Sequence, residues 1–256
     1  MKLFSKIMGG FPNDMIILHG LFGMSDNWNS LAKRFAKKIN VHLLDLRNHG
    51  RSPHSEDFDY KVMTQDVFNY IQDYSLDKPI ILGHSLGGKI AMNFAFSYPE
   101  KIKKLIVADI SPREYDIDFH LNLLRILDSL PLQDFQKREA VDSALASAIK
   151  NKQVRLFLLK NLYRDENNMF HWRFNIKVLL RKLVNIKEAD FIRGSCDVKT
   201  YFIKGEKSDY INDNDCLLIN KHFSDVEITS IEDAGHWLHA ENPEAFYNKV
   251  LGCISE

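Results

Sequence analysis

The sequence predicts an α/β fold in which helices flank a mostly parallel central sheet. Three observations support this prediction. Apolar runs of strand length alternate with amphipathic helical patterns, an order typical of right-handed βαβ crossovers. The runs are almost continuously apolar, as expected for strands that are buried on both faces of a sheet. The alternation breaks after residue 112, which indicates an inserted segment before the last part of the sheet.

Six of the apolar runs are predicted to be parallel strands, because each is followed within two residues by a glycine or an aspartate. They cover residues 15–18, 41–44, 79–82, 105–108, 200–203 and 226–231. Helical patterns cover residues 27–36, 63–74, 86–96 and 243–253. Residues 2–8 predict one short antiparallel strand that turns at Gly9 and Gly10.

The inserted segment shows helical patterns and no convincing strand. These patterns cover residues 119–127, 140–149, 154–162 and 176–183. A chain of 256 residues suits one large domain, or one domain that carries an insertion. We therefore predict a core formed by residues 1–112 and 193–256, with an all-helical cap at 113–192.

The composition excludes several classes of protein. Lys and Arg total 34, and Asp and Glu also total 34, so the chain lacks the basic excess of a nucleic-acid binder. No apolar stretch approaches the length of a transmembrane helix, and the first residues lack the apolar run of a signal peptide. The three cysteines show no C-x-x-C spacing, which argues against a disulfide framework or a zinc site. We expect a cytoplasmic protein with no nucleic-acid partner and no stable membrane insertion.

The strongest chemical signal is G-H-S-L-G at residues 83–87. This G-x-S-x-G follows a predicted strand and precedes a predicted helix, the context of a nucleophile elbow. In such an elbow a tight turn exposes the serine, here Ser85, and the helix N-terminus favours negative charge nearby. The pattern therefore predicts Ser85 as a catalytic nucleophile.

A serine hydroxyl needs a base, and the base needs an orienting acid. In this kind of fold the chain order is serine, acid, histidine. His236 is the predicted base, because it follows the last predicted strand on a glycine-bearing loop at the same edge of the sheet as Ser85. His222 precedes that strand, at the opposite end, and His239 is interpreted as a packing residue.

Two aspartates qualify as the acid. Asp109 and Asp209 both follow predicted parallel strands at their carboxyl ends, where ligands bind in such sheets. Position alone leaves both open. The oxyanion hole is expected from two backbone N–H groups, that of Leu86 and that of Leu21 or Phe22.

The cap is expected to cover the site and shape an acyl pocket. Residues 150–187 contain ten Lys or Arg and two acids, so the cap either receives the phosphates of a coenzyme A thioester or presents a solvated basic surface. Most apolar cap residues could equally form the packing core of the cap. The predicted pocket residues are His19, Trp28, Leu123, Leu127, Trp172, Phe174 and Trp237.

Six segments carry a resemblance to the α/β-hydrolase superfamily, over essentially the whole chain. They are H-G-L-F-G at 19–23, D-L-R-N-H-G-R-S at 45–52, G-H-S-L-G-G-K at 83–89, D-I-S-P at 109–112, W-R-F-N at 172–175 and G-H-W-L-H-A-E at 235–241. The chain most resembles the YbfF-type esterases of bacteria and their mitochondrial abhydrolase-domain relatives. The R-N-H-G and W-R-F-N segments make this likeness more specific than the elbow does.

The resemblance implies an esterase or acyl-thioesterase with Ser85 as nucleophile, His236 as base and Asp109 as acid. The presence of Asp209 departs from several relatives and keeps the acid open, since the wider superfamily usually places its acid in that loop. The expected function is hydrolysis of carboxylic esters or thioesters of short- to medium-chain acyl groups through an acyl-enzyme. The alternatives are a C–C bond hydrolase and a non-catalytic binding module.

The partners expected from this resemblance are small molecules. The substrate is an acyl ester or thioester, with acyl-coenzyme A as one candidate. No metal and no organic cofactor is expected. Both a monomer and a homodimer remain open, because one sequence does not show which apolar side chains are exposed.

Overall fold

The computed structural model describes residues 1–187 and 194–255, and its framework is a seven-stranded sheet. The strands, in chain order, are β1 (Ser5–Met8), β2 (Asp14–Leu18), β3 (Asn40–Leu44), β4 (Ile80–His84), β5 (Lys104–Ala108), β6 (Leu162–Arg164), β7 (Phe170–Trp172), β8 (Thr200–Gly205) and β9 (Val226–Ile231). In the described residues the large sheet has the order β1-β3-β2-β4-β5-β8-β9. The six parallel strands confirm the predicted apolar runs to within two residues at each end.

The one antiparallel strand of this sheet pairs differently from a simple hairpin. β1 lies against β3, with Ser5 opposite Leu44 and Met8 opposite Val41, and is not paired with β2, the strand that follows it in sequence. All other neighbours in the sheet run parallel. The carboxyl ends of β2, β4, β5, β8 and β9 therefore meet at one edge, where their loops converge.

Helices cover both faces of the sheet. They are α1 (Asn29–Phe35), α2 (Tyr60–Asp73), α3 (Leu86–Ser97), α4 (Asp118–Asp128), α5 (Arg138–Ala146), α6 (Lys152–Leu159), α7 (Ile176–Lys182), α8 (Asp213–His222), α9 (Leu238–Glu241) and α10 (Pro243–Ser255). α1 and α10 pack on one face, whereas α2, α3 and α8 pack on the other. Within 1–187 and 194–255, no helix is both long and apolar enough to cross a bilayer.

The segment between β5 and β8 is mostly helical, but the expectation of an all-helical cap is wrong in one detail. β6 and β7 form an antiparallel hairpin in which Leu162 lies opposite Trp172. Strands of three residues are too short to show an alternating pattern. The Asp165 carboxylate holds their turn by accepting the backbone N–H groups of Asn167 and Met169 at 3.0 and 2.9 Å. The boundary predicted between residues 192 and 193 lies outside the described residues.

Polar contacts fasten this segment to the loops of the core. The Asn161 side-chain amide donates to the Phe22 carbonyl at 2.8 Å, and both residues are buried. The Asn175 backbone N–H donates to the Asn48 carbonyl at 2.9 Å. The inserted segment is therefore held above the edge of the sheet where the carboxyl ends of the strands meet.

Candidate active site

Ser85 occupies a strained turn between β4 and α3. Its φ is +52° and its ψ is −116°, a conformation that L-residues rarely adopt. The Ser85 N–H donates to the Ala108 carbonyl at 3.1 Å, which ties the turn to the neighbouring strand. The end of β2 approaches α3 so closely that a Cβ on Gly87 would lie 2.3 Å from the Leu18 carbonyl oxygen. The glycine is required because that neighbour is backbone and cannot move aside.

We expect Gly87→Ala to lower the free energy of unfolding by about 1–3 kcal/mol, because the added methyl group forces β2 and α3 apart. Gly252→Ala is the matched control. A Cβ there meets no atom within 4 Å, and an alanine in α10 should stabilise the protein by about 0.5–1 kcal/mol. Urea unfolding of both variants tests the packing. A Gly87→Ala variant as stable as the wild type would contradict it.

His236 and Asp109 lie together at the same edge of the sheet. The Nδ1 atom of His236, in the loop after β9, is 2.8 Å from Oδ2 of Asp109, directly after β5. Asp109 is fully buried and has a φ of +49°. Its carboxylate also accepts the Gly205 N–H at 2.9 Å and the Ser208 hydroxyl. Three groups, two from the end of β8 and its following loop and one from the loop after β9, thus determine how this carboxylate is oriented.

Asp209 is not part of this arrangement. Its side chain is exposed, and the contact made by the residue is through its backbone carbonyl, which accepts Nη2 of Arg113 at 3.4 Å. The preceding residue, Ser208, points inward to Asp109. Ser208 is not among the predicted site residues. Its place in a loop after a parallel strand was the one available signal, and this signal is weak because side-chain direction in a loop is not periodic.

The predicted oxyanion donors lie beside Ser85. Leu86 is the first residue of α3, and Leu21 borders the same cavities as Ser85. Leu21 and Phe22 form the middle of a turn closed by the Gly23 N–H to the Gly20 carbonyl at 2.9 Å. The Phe22 carbonyl accepts the Asn161 side-chain amide of the cap. The φ of Phe22, +60°, helps to orient the turn.

His19 braces this turn from below. Its Nε2 accepts the Leu46 N–H at 3.0 Å, so its Nδ1–H donates to the Gly20 carbonyl at 2.8 Å. Burial lowers the pKa of His19 to about 4, and the ring is therefore neutral near pH 7. A neutral ring suits this role, because one nitrogen has to accept while the other donates.

Two small cavities meet at Ser85. The first has a volume of about 50 Å³ and is also lined by His236, while the second has a volume of about 60 Å³. Leu21, Ser85 and His120 border both cavities. The first is lined further by His19, Trp28, His84, Phe119, Leu123, Val154, Phe157, Leu158, Trp237 and His239. The second is lined further by Tyr60, Leu86, Lys89, Ile110, Tyr115, Ile117, Leu183, Ile186 and Tyr210.

The predicted pocket residues divide into two groups. His19, Trp28, Leu123 and Trp237 line the first cavity. Leu127, Trp172 and Phe174 line neither cavity at Ser85, so the expectation that they line the pocket is wrong.

Leu127 and Trp172 border a separate groove on the cap, and Phe174 is buried against Phe22 with ring centroids 5.3 Å apart. Leu127 lies one helical turn beyond Leu123, about 6 Å further along α4. Trp172 belongs to the hairpin that the sequence pattern did not reveal.

Neutral histidines surround His236. The His84 Nε2–H donates to the His236 carbonyl at 2.8 Å, and burial lowers the pKa of His84 well below its ordinary value. Burial lowers the pKa of His239 to about 3, and its ring stacks on Trp28 at 4.3 Å. Burial, with a smaller contribution from His236, lowers the pKa of His120 to about 4. These rings therefore add no positive charge beside His236 near neutral pH.

A serine on an elbow, a histidine in the same cavity and a buried carboxylate on its Nδ1 form an arrangement that can activate a hydroxyl. The profile of the α/β-hydrolase fold family matches residues 14–243 of this chain. The chain belongs to the α/β-hydrolase fold family. The predicted fold and family are thus confirmed.

Several named proteins resemble this α/β-hydrolase. Esterase YbfF of Escherichia coli (strain K12) is 32% identical over 244 residues, covering 94% of this chain and 93% of that protein. The sn-1-specific diacylglycerol lipase ABHD11 of Danio rerio is 32% identical over 249 residues, covering 94% and 78% respectively. A solved esterase from a marine microorganism matches with a TM-score of 0.94 and 40% identity, covering 98% of both chains. These names support ester hydrolysis as the reaction class.

Proposed function

We propose that this protein is a serine hydrolase that cleaves carboxylic esters of short- to medium-chain acyl groups through an acyl-enzyme. The observation that carries the proposal is the 2.8 Å contact between His236 Nδ1 and Asp109 Oδ2, beside a cavity that His236 shares with Ser85. The esterase and lipase names of the relatives support the same reaction class. The proposal assigns Ser85 as nucleophile, His236 as base and Asp109 as acid.

In the first half-reaction, Ser85 Oγ attacks the acyl carbonyl carbon while its proton passes to Nε2 of His236. The carbonyl oxygen becomes an oxyanion, which the backbone N–H groups of Leu86 and Leu21 stabilise. The bond to the leaving group then breaks, and His236 returns the proton to that group as it departs. Ser85 remains acylated.

In the second half-reaction, water attacks the acyl-enzyme while His236 accepts one of its protons. The bond between the acyl carbon and Ser85 Oγ breaks, His236 protonates Ser85, and the carboxylic acid leaves. Asp109 keeps the proton of the resting imidazole on Nδ1, so that Nε2 is free to accept. Its carboxylate also stabilises the imidazolium that forms in each half-reaction.

Fluorophosphonate labelling tests the proposal directly, because such reagents phosphonylate an activated serine. We expect the intact protein to gain one label, and peptide mass spectrometry to locate it on Ser85. Labelling should be absent in the denatured protein, where the hydroxyl lacks its base. A folded protein that takes up no label, and turns over no p-nitrophenyl ester, would favour the binding-module alternative.

We favour simple esters over coenzyme A thioesters as substrates, because part of the positive charge at residues 150–187 is already neutralised by carboxylates. Arg155, Lys177 and Arg181 pair with carboxylates at 2.7, 2.8 and 2.6 Å. Three of the ten basic side chains at residues 150–187 therefore already have a carboxylate partner. The excess positive charge available for phosphates is smaller than the sequence suggests.

The small cavities predict the chain-length preference. We expect kcat/KM for p-nitrophenyl esters to peak at about four acyl carbons and to fall steeply by about twelve. Leu123→Ala enlarges the first cavity, so it should raise kcat/KM for the octanoyl ester relative to the butyryl ester by about ten-fold. Leu127→Ala is the matched control, since this leucine is buried one turn away without lining either cavity. An equal shift in both variants would contradict the assignment of the pocket.

A further inference from the structure

The His236 ring is stacked on an aromatic column that the proposed mechanism does not use. The Tyr210 ring lies parallel to the imidazole, with centroids 3.7 Å apart and an interplanar angle of 16°. Tyr115 stacks on Tyr210 at 5.2 Å and 20°. The Arg113 guanidinium carbon lies 3.9 Å from the centroid of the Tyr115 ring. The column therefore runs from a guanidinium, through two phenol rings, to the imidazole.

Hydrogen bonds and an ion pair hold Tyr210 in this position. The Tyr115 hydroxyl donates to the Tyr210 carbonyl, and it accepts the Ser111 N–H at 2.8 Å. Arg113 Nε lies 2.9 Å from Oδ1 of the buried Asp215 at the start of α8. The residues that follow Asp109 and enter the cap are thus bonded to Tyr210 itself and to the first turn of α8, which follows its loop.

The chemistry of a stacked phenol bears on the charge that His236 acquires. The face of an aromatic ring is electron-rich, and a cation within about 6 Å of its centroid is stabilised. Burial raises the pKa of both the Tyr210 and Tyr115 hydroxyls, so both rings remain neutral. When the His236 imidazole becomes an imidazolium, Asp109 compensates the charge from the edge of the ring, and Tyr210 lies across its face.

We propose that Tyr210 is a positioning residue that holds the His236 ring and stabilises its imidazolium form, and that Arg113 and Tyr115 keep Tyr210 in place. This inference rests on the proposed serine-hydrolase function. It links the entry segment of the cap to the histidine that transfers the proton.

The other groups facing His236 do not replace this contact. Asp109, with the Ser208 hydroxyl behind it, lies at the Nδ1 edge. His84 lies 4.8 Å from His236, tilted by 39°, and is neutral, as are His120 and His239.

Three cations lie beyond these groups. The charge of Lys160 contributes, after burial, to the lowered pKa of His239. Lys89 and Arg113 lie over the Tyr115 ring. Among the described residues, Asp109 is the charged group that pairs with the ring by a hydrogen bond.

The experiment compares Tyr210→Leu with Tyr210→Phe. The pH dependence of kcat/KM for p-nitrophenyl butyrate, and of fluorophosphonate labelling, is measured for both variants and for the wild type. We expect Tyr210→Leu to lower kcat by about three- to thirty-fold, with little change in KM. Without the aromatic face the imidazolium is less stable, so the acid limb of both profiles should move to lower pH by about half a unit or more. Tyr210→Phe keeps the ring and should recover most of the loss.

Three results would overturn the inference while leaving the proposed function intact. One is an equal loss at every pH in Tyr210→Leu with no movement of the acid limb, which indicates a structural role alone. Another is a raised KM at unchanged kcat, which indicates a substrate contact. A third is a loss in Tyr210→Phe as large as in Tyr210→Leu, which assigns the effect to the hydroxyl.

Tyr115→Phe provides a second route if Tyr210→Leu does not fold. It removes the hydroxyl that holds the Tyr210 carbonyl and keeps the stacked ring, so we expect a smaller shift of the acid limb in the same direction. An unchanged profile would overturn the supporting role of Tyr115. A wild type that neither labels nor turns over esters would overturn the proposed function itself, and this inference with it.

Discussion

Replacing Ser85 by alanine is expected to lower kcat for p-nitrophenyl butyrate by about 10⁴–10⁶-fold. In the proposed mechanism the hydroxyl oxygen forms the covalent bond to the acyl carbon, and alanine has no atom that can replace it. Alanine keeps the Cβ, and so it experiences the same backbone strain at a φ of +52° as serine does. The variant should therefore fold as the wild type does and lose the chemical step alone.

The control for Ser85→Ala is Ser97→Ala, in the helix that follows Ser85. Ser97 is exposed at the far end of α3 and bonds Asn93 at 3.3 Å, remote from both cavities. We expect its turnover to match that of the wild type. Thermal unfolding of both variants shows whether the fold is retained. Residual turnover in Ser85→Ala above about one per cent of wild type would contradict a mechanism based on this serine.

Asp109→Asn is expected to lower kcat by about 10⁴-fold, the size found when the aspartate of a Ser-His-Asp triad is replaced by asparagine. The amide can donate to Nδ1 of His236, which selects the tautomer with its proton on Nε2. That nitrogen can then no longer accept the proton from Ser85. In the wild type the carboxylate accepts from Gly205 and Ser208, so the substitution also places an NH₂ group where it faces donors. A loss of about 1–3 kcal/mol in stability should accompany it.

Asp209→Asn is the matched control for the acid. It makes the same chemical change on an exposed side chain in the next loop of the same edge, and we expect kcat to stay within about two-fold of wild type. Activity is measured below the unfolding transition of each variant, so that lost stability does not mimic lost catalysis. A large loss in Asp209→Asn with little effect in Asp109→Asn would reverse the assignment.

Most of the fold could be predicted because strands buried on both faces leave a plain signal in the chain. The runs that became β2, β3, β4, β5, β8 and β9 are apolar and end near small or acidic residues. The hairpin of β6 and β7 was missed, since three residues do not establish a period and a local carboxylate, that of Asp165, holds the turn. The pairing of β1 with β3 also depends on a contact between segments distant in sequence.

The candidate site was predictable where function requires a particular residue next to a strand end. Ser85 and His236 follow from the elbow pattern, the chain order and the parallel direction of the strands. Asp109 and Asp209 could not be separated by position, because both follow a strand at the same edge of the sheet. What separates them is direction: the Asp109 side chain is buried among donors, whereas that of Asp209 is exposed.

The sequence by itself predicted the parallel strands and the proposed nucleophile and histidine, because continuous apolar runs and the steric demands of the elbow act on neighbouring residues. Only the tertiary structure decided which aspartate meets His236, which cap residues line the cavities, and that Tyr210 lies on the face of the imidazole. Those features depend on contacts between loops far apart in the chain. Such contacts follow from how the loops pack together, and local sequence periodicity carries no record of that packing.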